Sequence, residues 1–240
     1  MGPAPHVIFG PRGAGKTTGP VFAVVMGLGL AAGAASHAAE RFPTLTPDQM
    51  TPAQRKVAEE IMAGPRKGLG GPFNTWLRSP ELADKLQQVG EHLRFHSSVP
   101  PRLNEFAILL TARAWDADYE WAAHYPLALK AGLNPAIAAD VATGRRPAGM
   151  AADETAVYDF VTELRVSHRV SDPIYAAAQK LLGDQGVVDL VALSGYYDLV
   201  SMTLNVGQVA APKDGPRLPA PGGSAKPTSG RSGSSPELRR

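Results

Sequence analysis

Apolar residues recur at helical spacing through the middle of the chain, from about residue 42 to residue 206. Leu82, Leu86, Val89 and Leu93, for example, are three or four residues apart, which is the spacing of one face of an α-helix. No stretch of alternating apolar and polar residues is bounded by turn residues on both sides. The pattern therefore predicts an all-α domain.

Prolines, glycines and capping residues divide this region into separate helices. Thr51-Pro52-Ala53-Gln54 is a capping box with proline at the first helical position, and Gly64-Pro65 ends the helix that it begins. Longer helices are predicted over 153–168 and 187–206. Further helices are predicted to begin at Ser79-Pro80, Pro100-Pro101, Asn134-Pro135 and Asp172-Pro173. Gly132 and Gly183 are predicted to end helices.

The first 38 residues have the organisation of a secretory signal peptide. Arg12 and Lys16 supply the positive charge, Val21–Ala35 is an uncharged apolar run, and Ser36-His37-Ala38 is a small-x-small cleavage site. We expect cleavage after Ala38 and a mature protein that is periplasmic or secreted, with no membrane span left. If residues 1–38 are retained, the protein is cytoplasmic instead.

Residues 10–17 also match the pattern of a phosphate-binding P-loop, Gly-Pro-Arg-Gly-Ala-Gly-Lys-Thr. A working P-loop needs a sheet of parallel strands that alternate with helices, and nothing downstream predicts one. The signal peptide is the better interpretation of the same residues.

The remaining domain boundaries follow from composition and charge. Residues 211–240 hold six prolines, five glycines and five serines, which predicts a disordered tail. The predicted domain, residues 39–210, carries 16 basic and 20 acidic residues, so the net charge of +2 comes from the two ends of the chain. An acidic domain does not favour nucleic-acid binding.

The loop from Gly64 to Pro80 combines four glycines with large side chains. Phe73 and Trp76 fill the core in the simplest interpretation. In the functional interpretation, this loop contacts a substrate or another subunit.

The residues with the most evident chemistry lie between positions 102 and 124. Glu120 and His124 are four residues apart and share one face of a helix, where the carboxylate can orient the imidazole. Glu105 lies fifteen residues before Glu120, about 22 Å along an unbroken helix. Glu105 can join the pair only if the helix breaks, and Asp116 and Asp118 are candidate N-caps at such a break.

These residues resemble the active-site pattern of alkylhydroperoxidase D, Glu-x11-Cys-x2-Cys-x3-His. Here the pattern reads Glu105-x11-Ala117-x2-Glu120-x3-His124, so both cysteines are replaced. The chain contains no cysteine at all, which excludes thiol peroxidase chemistry, disulfides and thiolate metal sites.

The wider context is similar to the carboxymuconolactone decarboxylase family, which shares the AhpD-like fold. The resemblance is carried by Glu105 through His124, including Arg113, Trp115 and Trp121, by 131–133, and by the later stretches 152–160 and 186–193. It spans roughly residues 42–206. It implies a helical protomer, a homo-oligomer and a pocket at the Glu/His cluster.

The resemblance implies an enzyme that decarboxylates or isomerises a lactone or related organic acid without a cofactor. Loss of CO2 beside a lactone leaves an enolate, which must be stabilised and protonated. His124 is the expected proton donor, Glu120 its orienting partner, and Glu105 a second acid/base or water-positioning group. The alternative is a non-catalytic exported binding or assembly protein on the same scaffold.

Several other side chains are candidates for substrate or subunit contacts. Arg78 and Arg113 are candidates to bind a substrate carboxylate, and surface ion pairing is their other interpretation. Trp115 and Tyr119, like Trp76 in the loop, could line a ligand pocket or pack at a subunit interface.

No metal site is predicted. His92 and His96 are four apart, but no third ligand accompanies them. Homo-oligomerisation is also expected from aromatic side chains that a single small helical domain would not cover, namely Trp115, Tyr119, Trp121, Tyr196 and Tyr197.

Overall fold

The structure, a computed structural model, describes residues 40–220. This part of the chain contains α-helices and no β-strand, which confirms the predicted all-α fold. The α-helices are α1 Pro52–Ala63, α2 Phe73–Trp76, α3 Pro80–Glu91, α4 Pro101–Ala114, α5 Asp118–Lys130, α6 Pro135–Ala142, α7 Ala152–Ser167 and α8 Asp172–Gly207. The predicted signal peptide and the P-loop-like string lie outside the described residues.

Helix α4 is the central element of the core. Its residues from Phe106 to Leu109 are all buried, because α5, α6, α7 and α8 pack around it. Trp121 from α5, Phe160 from α7 and Leu190 from α8 complete the centre of the core. A helix surrounded on several sides holds its side chains in fixed positions, and α4 carries Glu105.

Helices α4 and α5 are separated by a sharp turn, as the separation of Glu105 from Glu120 requires. Asp116 adopts a left-handed conformation with φ 49°, and the Ala117 N–H donates to Ala112 O at 2.9 Å. The prediction of Asp116 or Asp118 as the N-cap is wrong, because Ala117 holds that position without a side-chain cap. Asp118 instead accepts a hydrogen bond from the Leu218 N–H.

The other predicted helix ends agree closely with the structure. Thr51 caps α1, with Thr51 Oγ1 accepting from Gln54 N at 3.3 Å and Gln54 Oε1 accepting from Thr51 N at 2.9 Å. Asn134 caps α6 in the same manner, through Ala136 N. Gly183 has φ 68° and interrupts α8, which is therefore two helical segments in sequence.

Helix α3 buries only part of the face that its apolar spacing indicates, since Leu86 packs against the core and Leu93 is buried. Leu82 and Val89 are about half exposed, whereas Ala83, Gln87 and Gly90 are buried. The buried face carries small side chains at Ala83 and Gly90, so other groups can approach this helix closely. One π-helical turn, His92–His96, then ends it.

Two further expectations differ from the structure. Residues 211–220 are not a detached tail: Pro219 O accepts from Arg113, and a Cβ on Gly215 would lie 2.9 Å from Ala122 Cβ. Trp121, Tyr196 and Tyr197 are buried within the single chain, because α5 and α8 face the core here, so they do not provide the apolar surface expected at a subunit interface.

Helix α8 is long and apolar enough to cross a membrane by length and composition. However, 56% of its most apolar window is buried within the protein, as in the core helix of a globular domain.

Candidate functional site

A cavity of about 200 Å³ opens beside the N-terminal half of α5. It is bounded by the loop before α2, by the end of α3, by α5 and by the second segment of α8. The side chains that carry its chemistry are Arg66, Arg94, Tyr119, Glu120, His124, Tyr196 and Tyr197. Its volume lies below the usual range for drug-sized ligands and suits a small molecule.

His124 lies between two glutamates at the wall of this cavity. Its Nδ1 is 2.7 Å from Glu105 Oε2, and its Nε2 is 3.0 Å from Glu120 Oε1. Because the chain turns between α4 and α5, Glu105 on α4 lies next to the imidazole ring of His124. Glu120 lies one helical turn before His124 on α5. The structure therefore brings Glu105, Glu120 and His124 together at one site.

The two carboxylates favour the doubly protonated ring. Burial alone would lower the pKa of His124, but the charges and hydrogen bonds of Glu120 and Glu105 outweigh it and raise that pKa to about 9. At neutral pH the ring is thus an imidazolium that donates to both glutamates. Glu120 lines the cavity together with His124, whereas Glu105 lies behind the ring.

Three tyrosines complete the wall around this group. The Tyr197 ring meets His124 edge to face, with 5.2 Å between ring centroids. Burial raises the pKa of Tyr196 to about 12 and that of Tyr197 well above its ordinary value, so both hydroxyls stay protonated. Burial also raises the pKa of Tyr119.

Two arginines at the cavity have no carboxylate partner. Neither Arg66 nor Arg94 forms a salt bridge with any residue in the range 40–220. Burial lowers the pKa of Arg66, but a guanidinium remains charged at any physiological pH. The charge of Glu91 acts on Arg66 from nearby, so the two guanidinium groups line the cavity without a direct carboxylate contact.

Of the predicted substrate-binding residues, only Tyr119 lines this cavity. Arg78 is turned away and bonds the carbonyls of Pro43 and Asn74. Arg113 pairs with Asp116 and donates to Ala142 O at 3.0 Å. Both arginines are thus used to hold loops in place.

The two tryptophans of the prediction also lie away from the cavity. Trp115 donates to Asp198 Oδ1 at 2.7 Å, on the other side of α8. Trp76 is buried one layer behind the cavity wall, where it packs against Phe73 and Tyr196 and donates to Thr203 Oγ1. The core interpretation is therefore correct for Trp76, whereas Phe73 is buried and also lines the cavity.

The cavity has lining residues that the sequence interpretation missed, namely Arg66 and Arg94. Arg66 lies in the glycine-rich loop from Gly64 to Pro80, for which a substrate contact was one interpretation. The composition of that loop was the one signal in the sequence that pointed to Arg66. Nothing in the local sequence distinguishes Arg94, which lies in the π-helical turn after α3.

No metal site occurs among the described residues. No group of three or more His, Asp or Glu side chains within residues 40–220 is arranged to hold an ion. His92 instead lies 3.6 Å from Asp189, which accepts hydrogen bonds from the N–H and hydroxyl of Ser98 at 2.7 Å each. Asp189 thus orients the turn before α4.

Comparison with known proteins agrees with this architecture. The profile of the carboxymuconolactone decarboxylase family matches residues 80–163, which include Glu105, Glu120 and His124. A crystal structure described as an alkylhydroperoxidase AhpD core, an uncharacterized peroxidase-related protein from Ralstonia eutropha JMP134, superposes with a TM-score of 0.59 and 18% sequence identity. The match covers 73% of this chain and 93% of that one.

No curated protein matches the chain at a significant level. At 18% identity the structural likeness establishes the fold alone. Residues 80–163 of this chain therefore carry the sequence pattern of the carboxymuconolactone decarboxylase family, on an AhpD-like helical fold.

Proposed function

We propose that this protein is a cofactor-independent acid/base enzyme that decarboxylates or isomerises a lactone or a related small organic acid. The observation that carries the proposal is the buried ring of His124, held between Glu105 and Glu120 at the wall of a small cavity. A protonated ring with a raised pKa is a reservoir from which a proton can be returned to a substrate carbanion.

The geometry favours an exchange of the roles expected for the two glutamates. Glu105 accepts from Nδ1 behind the ring and is suited to orient it, as the partner carboxylate of a catalytic histidine does. Glu120 accepts from Nε2 and reaches the cavity, so it lies between the imidazolium and a bound substrate. The Nε2 proton then reaches the substrate directly or through Glu120.

The reaction requires an oxygen-binding group as well as a proton. When the bond to the leaving carboxylate breaks, its electron pair enters an enolate and CO2 departs; His124 then supplies the proton that forms the new C–H bond. The hydroxyls of Tyr119, Tyr196 and Tyr197 are neutral donors at the cavity and can stabilise the enolate oxygen.

A thiol peroxidase function has no chemical basis in this chain. The peroxidase pattern of the AhpD-like fold uses a pair of cysteines, and the sequence contains none. We therefore do not propose for this protein the peroxidase relationship of its structural neighbour.

Activity of a His124 variant tests the proposal. Purified protein is incubated with a panel of lactone acids and conjugated carboxylic acids, and CO2 release and loss of ultraviolet absorbance are followed. We expect His124→Ala to lower the rate by about a hundredfold or more, the usual contribution of a general acid. His96→Ala, which alters an exposed histidine outside the cavity, is the matched control.

Equal rates in the wild type and in His124→Ala would reject the role of this residue. Absence of activity on every acid of the panel would favour the binding-protein alternative.

We also infer that the protein acts as a homo-oligomer after export. The exposed apolar side chains in the described residues support association, and they include Leu82, Val89, Val166, Val188 and Val191. The apolar run and cleavage pattern of residues 1–38 support export.

A further inference from the structure

We propose that residues 211–220, here called the C-terminal strap, hold the turn between α4 and α5 and thereby keep Glu105 in contact with His124. The strap contributes no side chain to the cavity. It positions the Glu/His cluster from outside the cavity, through the turn. This inference goes beyond the proposed reaction, because it concerns how the site is held together and not what the site converts.

The strap is bound to the chain on both sides of the turn. On the α4 side, Pro219 O accepts a hydrogen bond from Arg113 Nη1 at 2.9 Å. On the α5 side, Asp118 Oδ1 accepts a hydrogen bond from the Leu218 N–H at 3.2 Å. Two neighbouring residues of the strap therefore bridge the last turn of α4 and the first turn of α5.

The strap also packs closely against α5. The Gly215 N–H donates to Pro212 O at 3.1 Å and closes a turn that brings Gly215 onto Ala122. A Cβ at position 215 would lie 2.9 Å from Ala122 Cβ, so a larger residue there requires the strap to shift. Leu218 packs against the hydrophobic core, and Ala211 is buried. The strap is therefore a packed part of the domain.

The turn depends on contacts with other parts of the chain. Asp116 adopts a left-handed conformation with φ 49°, which costs free energy in a residue other than glycine. The guanidinium of Arg113 joins Asp116 to Ala142 O at the end of α6 and to Pro219 O of the strap. Loss of the strap removes one of the groups that fix this guanidinium beside the turn.

One contact of the Glu/His cluster depends on the turn and the other does not. Glu120 and His124 both lie on α5, so their contact is made within one helix. Glu105 lies on α4 and contacts His124 only because the turn packs the two helices side by side. A looser turn therefore separates Glu105 from the ring and leaves Glu120 in place.

Full-length variants that displace the strap test this proposal. Gly215→Val places a branched side chain against Ala122, and Asp118→Ala removes the acceptor of the Leu218 N–H. In both variants, we expect hydrogen exchange of the Ala117 N–H, which donates to Ala112 O across the turn, to become about tenfold faster.

The titration of His124 is the second measurement on the same variants. We expect its pKa, about 9 in the wild type, to decrease by roughly 0.5 when the contact with Glu105 is weakened. The decrease should not exceed that in Glu105→Gln, because Glu120 stays beside the ring. Nuclear magnetic resonance follows both the exchange and the titration.

Each variant has a matched control. Gly195→Val makes the same substitution on α8, where a Cβ would meet no atom within 4 Å and lies outside the cavity. Asp118→Asn removes the charge but keeps an oxygen that can accept from the Leu218 N–H. Both controls should retain wild-type exchange at Ala117 and wild-type titration of His124. Exchange of the Phe160 N–H in α7 reports global stability and should change less than that of Ala117.

The proposal is wrong if either measurement keeps its wild-type value in both displaced variants. Equal acceleration of exchange at Phe160 and Ala117 would show a general loss of stability and would also overturn it. So would an equal decrease of the His124 pKa in Asp118→Asn and Asp118→Ala, because the charge of Asp118 would then be the cause. If Gly215→Val does not fold, the two Asp118 variants decide the question.

Neither measurement requires turnover, so the two proposals fail separately. A protein without activity on any acid would reject the proposed reaction and leave the role of the strap standing. Activity that depends on His124, in a protein whose titration ignores the strap, would do the reverse.

Discussion

At the scale of single residues, the two glutamates that flank His124 should affect its titration unequally. Both raise the pKa of the ring, and the charge of Glu120 is the largest of the effects that raise it. We therefore expect Glu120→Gln to lower the pKa of His124 more than Glu105→Gln does, with both variants below the wild-type value of about 9. Nuclear magnetic resonance titration of the imidazole ring measures all three values.

Each variant is nearly isosteric and keeps an oxygen acceptor, so the comparison isolates the loss of charge. Thermal unfolding of both variants, followed by circular dichroism, checks that the fold is retained. A larger decrease in Glu105→Gln, or an unchanged pKa in Glu120→Gln, would contradict the assignment of Glu120 as the dominant charge.

At the scale of elements, two helices that begin with a hydroxyl residue followed by proline differ in how much the capping side chain stabilises them. Thr51 and Ser79 both precede a proline at the first helical position, but only the Thr51 side chain forms a capping hydrogen bond. We expect Thr51→Ala to lower the free energy of unfolding by about 1 kcal/mol. Ser79→Ala should leave it nearly unchanged, and urea unfolding measures both. Equal losses in the two variants would contradict this reading of the caps.

The sequence pattern predicts where the helices begin and end, but it does not predict which face of helix α3 is buried. Helix existence and ends follow from local chemistry, as at Thr51 and Asn134, so they could be predicted. Which face of α3 is buried depends on its neighbours: Tyr196 and Arg66 occupy the space above Gly90, and Leu82 and Val89 are left exposed. No property of the α3 sequence alone contains that information.

At the scale of the whole molecule, the Glu/His cluster could be predicted because it depends on one turn. Because the chain turns sharply at Asp116, α5 packs beside α4 and Glu105 contacts the ring of His124. The side of the cavity that Arg66 and Tyr196 line could not be predicted in this way. Arg66 reaches it from a loop and Tyr196 from the last helix, and only the complete packing of α3, α5 and α8 brings them together.

The pairing of His124 with Glu105 and Glu120 also links the stability of the whole protein to pH. The pKa of His124 is 6.5 for the unperturbed ring and about 9 in the folded protein, so the folded state holds the proton more tightly. The stabilisation is complete below pH 6.5 and is lost as the pH rises to about 9. The difference corresponds to about 3 kcal/mol in the free energy of unfolding. Urea unfolding at several pH values should show this decrease in the wild type and lack it in His124→Gln. An identical pH dependence in the two proteins would mean that His124 is not the group responsible.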